Sequence, residues 1–433
     1  MKLKYLFVAL SLCLCRPAAA ESLETKPNDP YFAKFYAVAA PKPKSPALHT
    51  GSRLAICGDS ITEQRMCSRI METYITVALP ELNVNTRQFG WSGEQASGFL
   101  ARMTNDVLRF NPTVATTCYG MNDHRYRPYE ESIGLAYASN MTDIVLAFKA
   151  AGTSVIVGSS GCMGLKQPPW AWVQGTPEDR NVSLCMLRNI DIEIADADQV
   201  GFADVFWPMY KAQFQAAQQW GTNYALAGKD NVHPGWAGHL IMAYAFLKAL
   251  DVPGNIGTFN VDLKSGKAAV SAGHQLISCQ EGMVKIKSLR YPFCAGDPTD
   301  SDTSIRSGMA LVPFNQELNR LVLIATHAKA KRYKVTWGRA SRDYTARELK
   351  QGVNLAEDFP INPFSDAFKG VDEAVAAKQA YETKQIKELF HGEAGKDDME
   401  KTAADSEQER AGLVAAIKTA FVPVTHTIII QPE

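Results

Sequence analysis

The sequence predicts an α/β unit with a doubly wound parallel sheet, extended on its C-terminal side by a β-rich module and a charged helical segment. Three observations predict it. Between residues 53 and 250, strand-like apolar runs alternate with helical stretches at the spacing of βαβ units, which implies a parallel sheet with helices on both faces. Residues with special chemical or backbone uses follow three of these runs directly: Gly58-Asp59-Ser60, Gly90 to Gly93 and Gly120 to Asp123. That is where a doubly wound sheet collects functional groups. After Pro253-Gly254 the texture changes to short alternating runs parted by Gly, Asp and Asn, the pattern of antiparallel strands.

The elements follow in order. Lys2 and Lys4 precede an apolar run from Tyr5 to Cys15 and then Ala18-Ala19-Ala20. This reads as a secretory signal over residues 1–20, cleaved after Ala20, with export to the periplasm or medium. The run is too short to span a bilayer, which takes roughly 20 residues. Residues 21–50, rich in Pro, Lys and Ala, read as an extended lead-in to an α/β domain over 51–252. RLAIC (53–57) is the first strand, 64–79 a helix, NVNTRQF (83–89) the second strand and 94–109 a helix. TVATTCY (113–119) is β-branched and apolar. Residues 130–151 place Ile133, Tyr137, Met141, Ile144, Val145 and Phe148 at helical spacing. TSVIVGS (153–159) is a fourth strand, and helices are expected near 178–196, 207–220 and 235–250. The rest, 253–433, reads as an antiparallel β module over about 256–338, then a charged helical stretch over about 366–418 broken around 391–396. The run 397–410 reads as a solvated face or flexible joint, and HTIII (426–430) closes the chain as a strand.

Composition narrows the function classes. Lys+Arg and Asp+Glu are both 45, so no basic footprint points to nucleic acid or an anionic membrane. Seven cysteines remain after the leader: 57, 67, 118, 162, 185, 279 and 294. An odd number cannot all pair internally. Cys57 and Cys118 lie in strand runs as buried thiols, and Cys162/Cys185 and Cys279/Cys294 are the pairs to test for disulfides in an exported chain. Neither CxxC nor HExxH occurs, so no metal site is expected. Asn140-Met-Thr and Asn181-Val-Ser fit the N-glycosylation triplet.

The special residues suit acyl transfer. A serine hydroxyl becomes a nucleophile when a base accepts its proton. His233, in Asp230-Asn231-Val232-His233-Pro234 before the last helix of the domain, can be that base, and Asp230 can hold its tautomer. The oxyanion formed on attack needs donors in place beforehand. The Ser60 amide, the Gly93 amide and the Asn122 side-chain NH2 can supply them, with Asp59 and Asp123 in support. Taken singly, each residue has a plainer role. Ser60 or Asp230 can cap a helix, Gly93 can be a turn glycine, and Asn122-Asp123 can be a turn pair.

In this order, GDSIT, the glycine of GWSGE, GMND and DNVHP resemble the GDSL, or SGNH, hydrolase family over about residues 51–250. The resemblance implies a flavodoxin-like fold and an esterase, lipase or carbohydrate-deacetylase activity, with the four signature roles on Ser60, Gly93, Asn122 and His233. Gln88 and Gln64 depart from the family's pattern at positions expected near the pocket rim. The reading is a secreted serine esterase without cofactor that removes small acyl groups from a small-molecule or polysaccharide ester. Its alternatives are a lipolytic esterase covered by an amphipathic helix (Val375, Ile386, Leu389, Phe390) and a non-catalytic carbohydrate-binding protein using the β module. The C-terminal region is expected to brace the hydrolase. His124 is read as a solvated loop residue. Trp91, Trp170, Trp172 and Trp236 are read as packing residues with sugar stacking as the rival role, and the segment from Pro168 to Trp172 as a pocket wall.

Overall fold

The computed structural model describes residues 22–43 and 47–433; the leader expected over 1–20, with its cleavage point, lies outside them. Five strands form the first sheet: β1 (Arg53–Gly58), β2 (Asn85–Gly90), β3 (Val114–Cys118), β4 (Ser154–Gly158) and β5 (Gly201–Ala203). All pair in parallel in the order β2-β1-β3-β4-β5, the flavodoxin-like order. Between them run α1 (Ser60–Glu63), α2 (Cys67–Ala78), α3 (Ala96–Asp106), α4 (Glu131–Ala150), α5 (Pro177–Ala197) and α6 (Phe206–Trp220), with α7 (Trp236–Ala249) closing the unit.

The alternation of side chains along β1 explains the two layers. Leu54 and Ile56 join the core with α2 and α7, while Ala55 and Cys57 join the core with α3 and α4. A strand buried on both faces reads as a continuous apolar run, which is why RLAIC and TVATTCY stand out in the sequence. The six apolar residues at helical spacing in α4 are all buried. α5 starts at a capping box of Thr176 and Asp179 with Pro177 at its first position, the local chemistry that fixes a helix start.

The lead-in is docked. Phe32 and Phe35 are buried against Trp207 and Tyr210, and Leu23 bridges Val38.

The region beyond Pro253 departs from the expected antiparallel module. It holds β6 (Asn255–Asp262), β7 (Lys267–Val270), β8 (His274–Gln280), β9 (Met283–Ser288), α8 (Ile305–Leu311), α9 (Phe314–Glu317), β10 (Arg320–Thr326), β11 (Arg332–Trp337), β12 (Ala340–Thr345), α10 (Ala346–Gln351), β13 (Val353–Asn354) and α11 (Leu355–Asp358). One sheet, β13-β10-β6-β7, is mixed, because β6 and β10 pair in parallel across the connection that contains α8 and α9. The second sheet, β12-β11-β14-β9-β8, is antiparallel and takes the terminal strand β14 (Val424–Pro432) into its centre.

Before β14 come α12 (Ser365–Lys384), a π-turn continuing it over Gln385–Phe390, α13 (Glu393–Asp397) and α14 (Met399–Ala420). The run 397–410 is no joint. Asp398 caps α14 by accepting from the Lys401 amide, and Ala403, Ser406 and Arg410 are buried. These helices close the outer edge of β2. Lys378 Nζ and Arg410 Nη2 both donate to the Thr86 carbonyl, at 2.5 and 2.8 Å, and the Gln88 amide donates to Glu382 Oε2 at 3.2 Å. Backbone groups that an edge strand would leave open are thus taken by buried charged side chains. Burial opposes ionisation of Glu382, but Lys378 and Arg410 outweigh it and hold the carboxyl below its ordinary range.

Neither expected disulfide forms: all seven described cysteines are free thiols, five of them buried. Asn181 is buried and hydrogen-bonded to the Met163 backbone, so its triplet cannot accept a glycan. Among the described residues no helix is long and apolar enough to cross a membrane.

Candidate active site

In this strand order the chain's direction of travel reverses between β1 and β3, and loops from both open the crevice beyond their carboxyl ends. Ser60 follows β1 directly. Asp59 caps α1, its Oδ1 accepting from the Ile61 amide at 2.9 Å, so Ser60 is the first residue of the helix and not its cap. The Ser60 hydroxyl donates to His233 Nε2 at 2.8 Å, and His233 Nδ1–H donates to Asp230 Oδ2 at 2.7 Å. Asp230 Oδ1 also accepts from the Val232 and His233 amides at 3.0 and 2.9 Å. α7 is capped at Gly235, so Asp230 fixes the histidine's own turn rather than the helix. Asn231, at φ 66°, supplies the left-handed step of that turn.

The electrostatics follow from these bonds. The Asp230 carboxylate raises the His233 pKa against the opposing effect of burial. Burial opposes ionisation of Asp230, but the His233 ring and the two amides outweigh it and hold the carboxyl below its ordinary range. Asp59 is pushed up to about 7 by burial, partly offset by the Ile61 amide.

Gly93 has φ +74°, a conformation glycine adopts at little cost, and is exposed. Its amide has no partner among the described residues. Asn122 Nδ2 donates to the Glu94 carbonyl at 3.0 Å and, at a long 3.4 Å, to Asp59 Oδ2. Tyr126 donates its phenol proton to Asn122 Oδ1 at 3.2 Å, which fixes the amide's orientation. One Asn122 N–H is therefore loosely held, toward Asp59, the residue before Ser60. Asp123 joins two blocks: its carboxylate accepts from the Ala96 amide at the start of α3 and from the Gly120 amide, both at 3.0 Å. Burial pushes its pKa up to about 6 against those bonds.

The structure therefore brings Ser60, His233, Asp230, Asn122, Asp59 and Asp123 into one cluster, with Gly93 on the adjoining loop. Several other expectations are corrected. His124 is fully buried, its Nδ1–H on the Met121 carbonyl at 2.5 Å, and burial lowers its pKa to about 4; it is neither solvated nor a second base. Gln88 is not on a rim: it is buried, its side chain reaching Thr383 and the Gly90 amide. Gln64 is exposed at the end of α1, and its side chain accepts from His239. Trp236 and Trp91 stack with cations, Arg69 on the first and Arg102 and Lys387 on the second.

Trp170 and Trp172 behave differently. Their rings stack 5.8 Å apart at 13°, Tyr126 meets both edge-on, and Trp170 lies 6.5 Å from the His233 ring. Trp172 is 58% exposed. Trp170 stands beside the histidine, with Trp172 stacked on it.

Sequence reading missed the network behind the Gly93 loop. Arg102 makes a bidentate pair with Glu94 at 2.6 and 2.7 Å, Tyr119 donates to Glu94, and Asp106 bonds both Arg102 and His391. Glu94 stands inside GWSGE and was visible there. His391 lies far from Asp106 along the chain, with no local signal.

Residues 56–241 match the model of the GDSL-like lipase/acylhydrolase family. This segment belongs to that family. An acetylxylan esterase from Geobacillus stearothermophilus is 25% identical over 230 residues, covering 46% of this chain and 94% of the esterase. A crystal structure of an acetylxylan esterase from Geobacillus stearothermophilus overlays with a TM-score of 0.40 at 21% identity, over 48% of this chain and 97% of that one. A gut microbial diltiazem-metabolizing enzyme overlays with a TM-score of 0.71 at 19% identity, over 90% of this chain and all of that one. That likeness concerns the fold alone and extends through the C-terminal sheets and helices. The chain is an ester-bond hydrolase, and a reading in which its α/β unit is inert is set aside.

Proposed function

We propose that the protein is an exported serine esterase that removes small acyl groups, acetyl foremost, from carbohydrate. The observation that carries the reading is the hydrogen-bonded line from Ser60 through His233 to Asp230, at 2.8 and 2.7 Å. His233 Nε2 takes the Ser60 proton as Oγ attacks the ester carbonyl, and the imidazolium formed is stabilised by Asp230. The oxyanion is met by the Ser60 and Gly93 amides and the loose Asn122 N–H; losing one such donor costs about 3 kcal/mol. Collapse expels the alcohol, which takes the proton back from His233. Water, deprotonated by the same imidazole, then releases the carboxylic acid and restores Ser60. No cofactor enters these steps.

Small acyl groups and a carbohydrate alcohol are favoured on two grounds. The acetylxylan esterase relative is matched over 94% of its own length. The exposed Trp172 ring beside Trp170 offers a flat apolar surface next to the histidine that protonates the leaving alcohol, and indole faces suit pyranose rings. Against a lipolytic lid, Val375, Ile386 and Phe390 are buried in the core. In this reading residues 51–252 hold the chemistry and 253–433 brace it.

The test is release of p-nitrophenol from acetyl and octanoyl esters by the full chain and by Ser60→Ala. Acetyl preference with an inactive variant is expected. Octanoyl preference moves the reading to lipids, and an active Ser60→Ala removes the nucleophile assignment.

A further inference from the structure

The C-terminal helices reach past the sheet edge to the loop that carries Gly93. At the end of α12 the helix widens into the π-turn Gln385–Phe390, closed by the His391 amide on the Ile386 carbonyl. π-turns are rare and often mark functional sites. Ile386 and Phe390 anchor this turn in the core beside α3. Lys387 and His391, four residues apart, project over the loop. Lys387 Nζ donates to Glu63 Oε1 at 2.8 Å, and its ammonium lies 5.2 Å from the Trp91 ring centre. His391 meets the same ring edge-on at 4.9 Å while bonding Asp106.

Glu63 is the last residue of α1, the helix that Ser60 begins. Its other oxygen, Oε2, accepts from the Ser92 amide at 2.5 Å. One carboxylate thus ties the nucleophile helix to the residue before Gly93, with Lys387 fixing that carboxylate. The loop is also anchored on either side of Ser92 and Gly93, by the Trp91 amide on the Gly58 carbonyl and, at Glu94, by its amide on the Trp91 carbonyl, its carbonyl accepting from Asn122 and its carboxylate accepting from Arg102 and Tyr119. Ser92 and Gly93 are both exposed. Glu63 is part-exposed as well. Without the ammonium its carboxylate is free to turn to water and release Ser92.

We propose that Lys387 and Glu63 are positioning residues that set the Gly93 amide for the oxyanion, so that the C-terminal helix completes the active site of the hydrolase unit. This rests on the reading of Ser60 and Gly93 given above. Losing an oxyanion donor outright lowers kcat about a hundredfold or more; loosening one is expected to cost about tenfold.

The experiment measures kcat and KM on p-nitrophenyl acetate for the full chain and for Lys387→Met, Glu63→Gln, the double variant, Lys387→Arg and Ser60→Ala, with thermal melting of each. Lys387→Met and Glu63→Gln should each lower kcat about tenfold with KM within twofold. The double variant should be no worse than the poorer single, and Lys387→Arg should restore most of the rate. If Lys387→Met keeps kcat within twofold while Ser60→Ala is inactive, the positioning role is wrong and the esterase reading stands. A loss that follows a fall in melting temperature and is not rescued by arginine makes Lys387 merely structural and also overturns the proposal. An active Ser60→Ala removes the esterase reading and this proposal with it.

Discussion

Gly90, the last residue of β2, lies under the nucleophile turn. A Cβ placed there falls 2.2 Å from the Glu63 amide nitrogen, 2.5 Å from the Thr62 carbonyl carbon and 2.6 Å from Glu63 Cα. These are backbone atoms, so no side-chain rotation relieves the overlap. Ordinary contact begins at 3.4 Å. Relief therefore requires α1 to retreat by about 1 Å, a backbone shift of the kind overpacking forces. Ser60 begins that helix and sits 2.8 Å from His233 Nε2. A shift of that size along the bond breaks it. Misplacement by about 1 Å costs about a hundredfold in rate, and the overpacking costs roughly 1–3 kcal/mol of stability. Gly90→Ala should therefore fold, with a lowered melting temperature, and lose at least a hundredfold in kcat on p-nitrophenyl acetate. Gly93→Ala is the control. A Cβ there meets nothing within 4 Å, and only its left-handed φ is penalised, by about 1–2 kcal/mol. It should keep more of its rate than Gly90→Ala. A Gly90→Ala enzyme with kcat within twofold of wild type would refute this geometry.

Two further outcomes follow from the charges. Asp230 raises the His233 pKa above its ordinary 6.5. As pH falls through that raised value, His233 takes a proton, can no longer accept one from Ser60, and activity falls. In Asp230→Asn the raising bond is gone and burial pulls the other way. The acid limb of kcat/KM should move to lower pH, with kcat down roughly ten-thousandfold because the tautomer is no longer held; an unmoved limb contradicts the assignment. Lys378 is fully buried, with its ammonium on the Thr86 carbonyl, Glu382 and Glu72. Lys378→Met leaves those buried carboxylates short of a cation and should destabilise the full chain by about 3–5 kcal/mol in denaturant unfolding. A change under about 1 kcal/mol would mean that the edge closure contributes little.

Much of the α/β unit was legible because its strands are buried on both faces and its helices on one. β1, β3, β4 and α4 carry that pattern in plain view. The strands that escaped reading share a physical reason. β8 (HQLISCQ) and β12 (ASRDYT) are sheet edges with solvent-facing polar residues, and β5 is only three residues long. The parallel pairing of β6 with β10 escaped because a strand's sequence does not name its partner. At the candidate site, the hydrogen-bonded set of Ser60, His233 and Asp230 stands out in the sequence because short motifs carry its members. Tyr126 and Lys387 do not. One acts through a phenol on Asn122, the other on Glu63 from the far end of the chain. His124 was misread because its place beside a loop motif says nothing of its burial.

The closure of β2 has a consequence in time. β2 leaves the ribosome early, whereas Lys378, Glu382 and Arg410, which occupy its outer edge, belong to α12 and α14, made long after it. At roughly 5–20 residues per second, the interval between them is about 15–65 s of synthesis. Throughout it the Thr86 carbonyl and Gln88 amide are open to any extended segment nearby. A premature stop or a pause before α14 is complete should thus appear first as insoluble protein rather than as soluble, inactive enzyme. The order in which the chain is made gives two helices synthesised long after β2 the task of keeping that strand from a stranger.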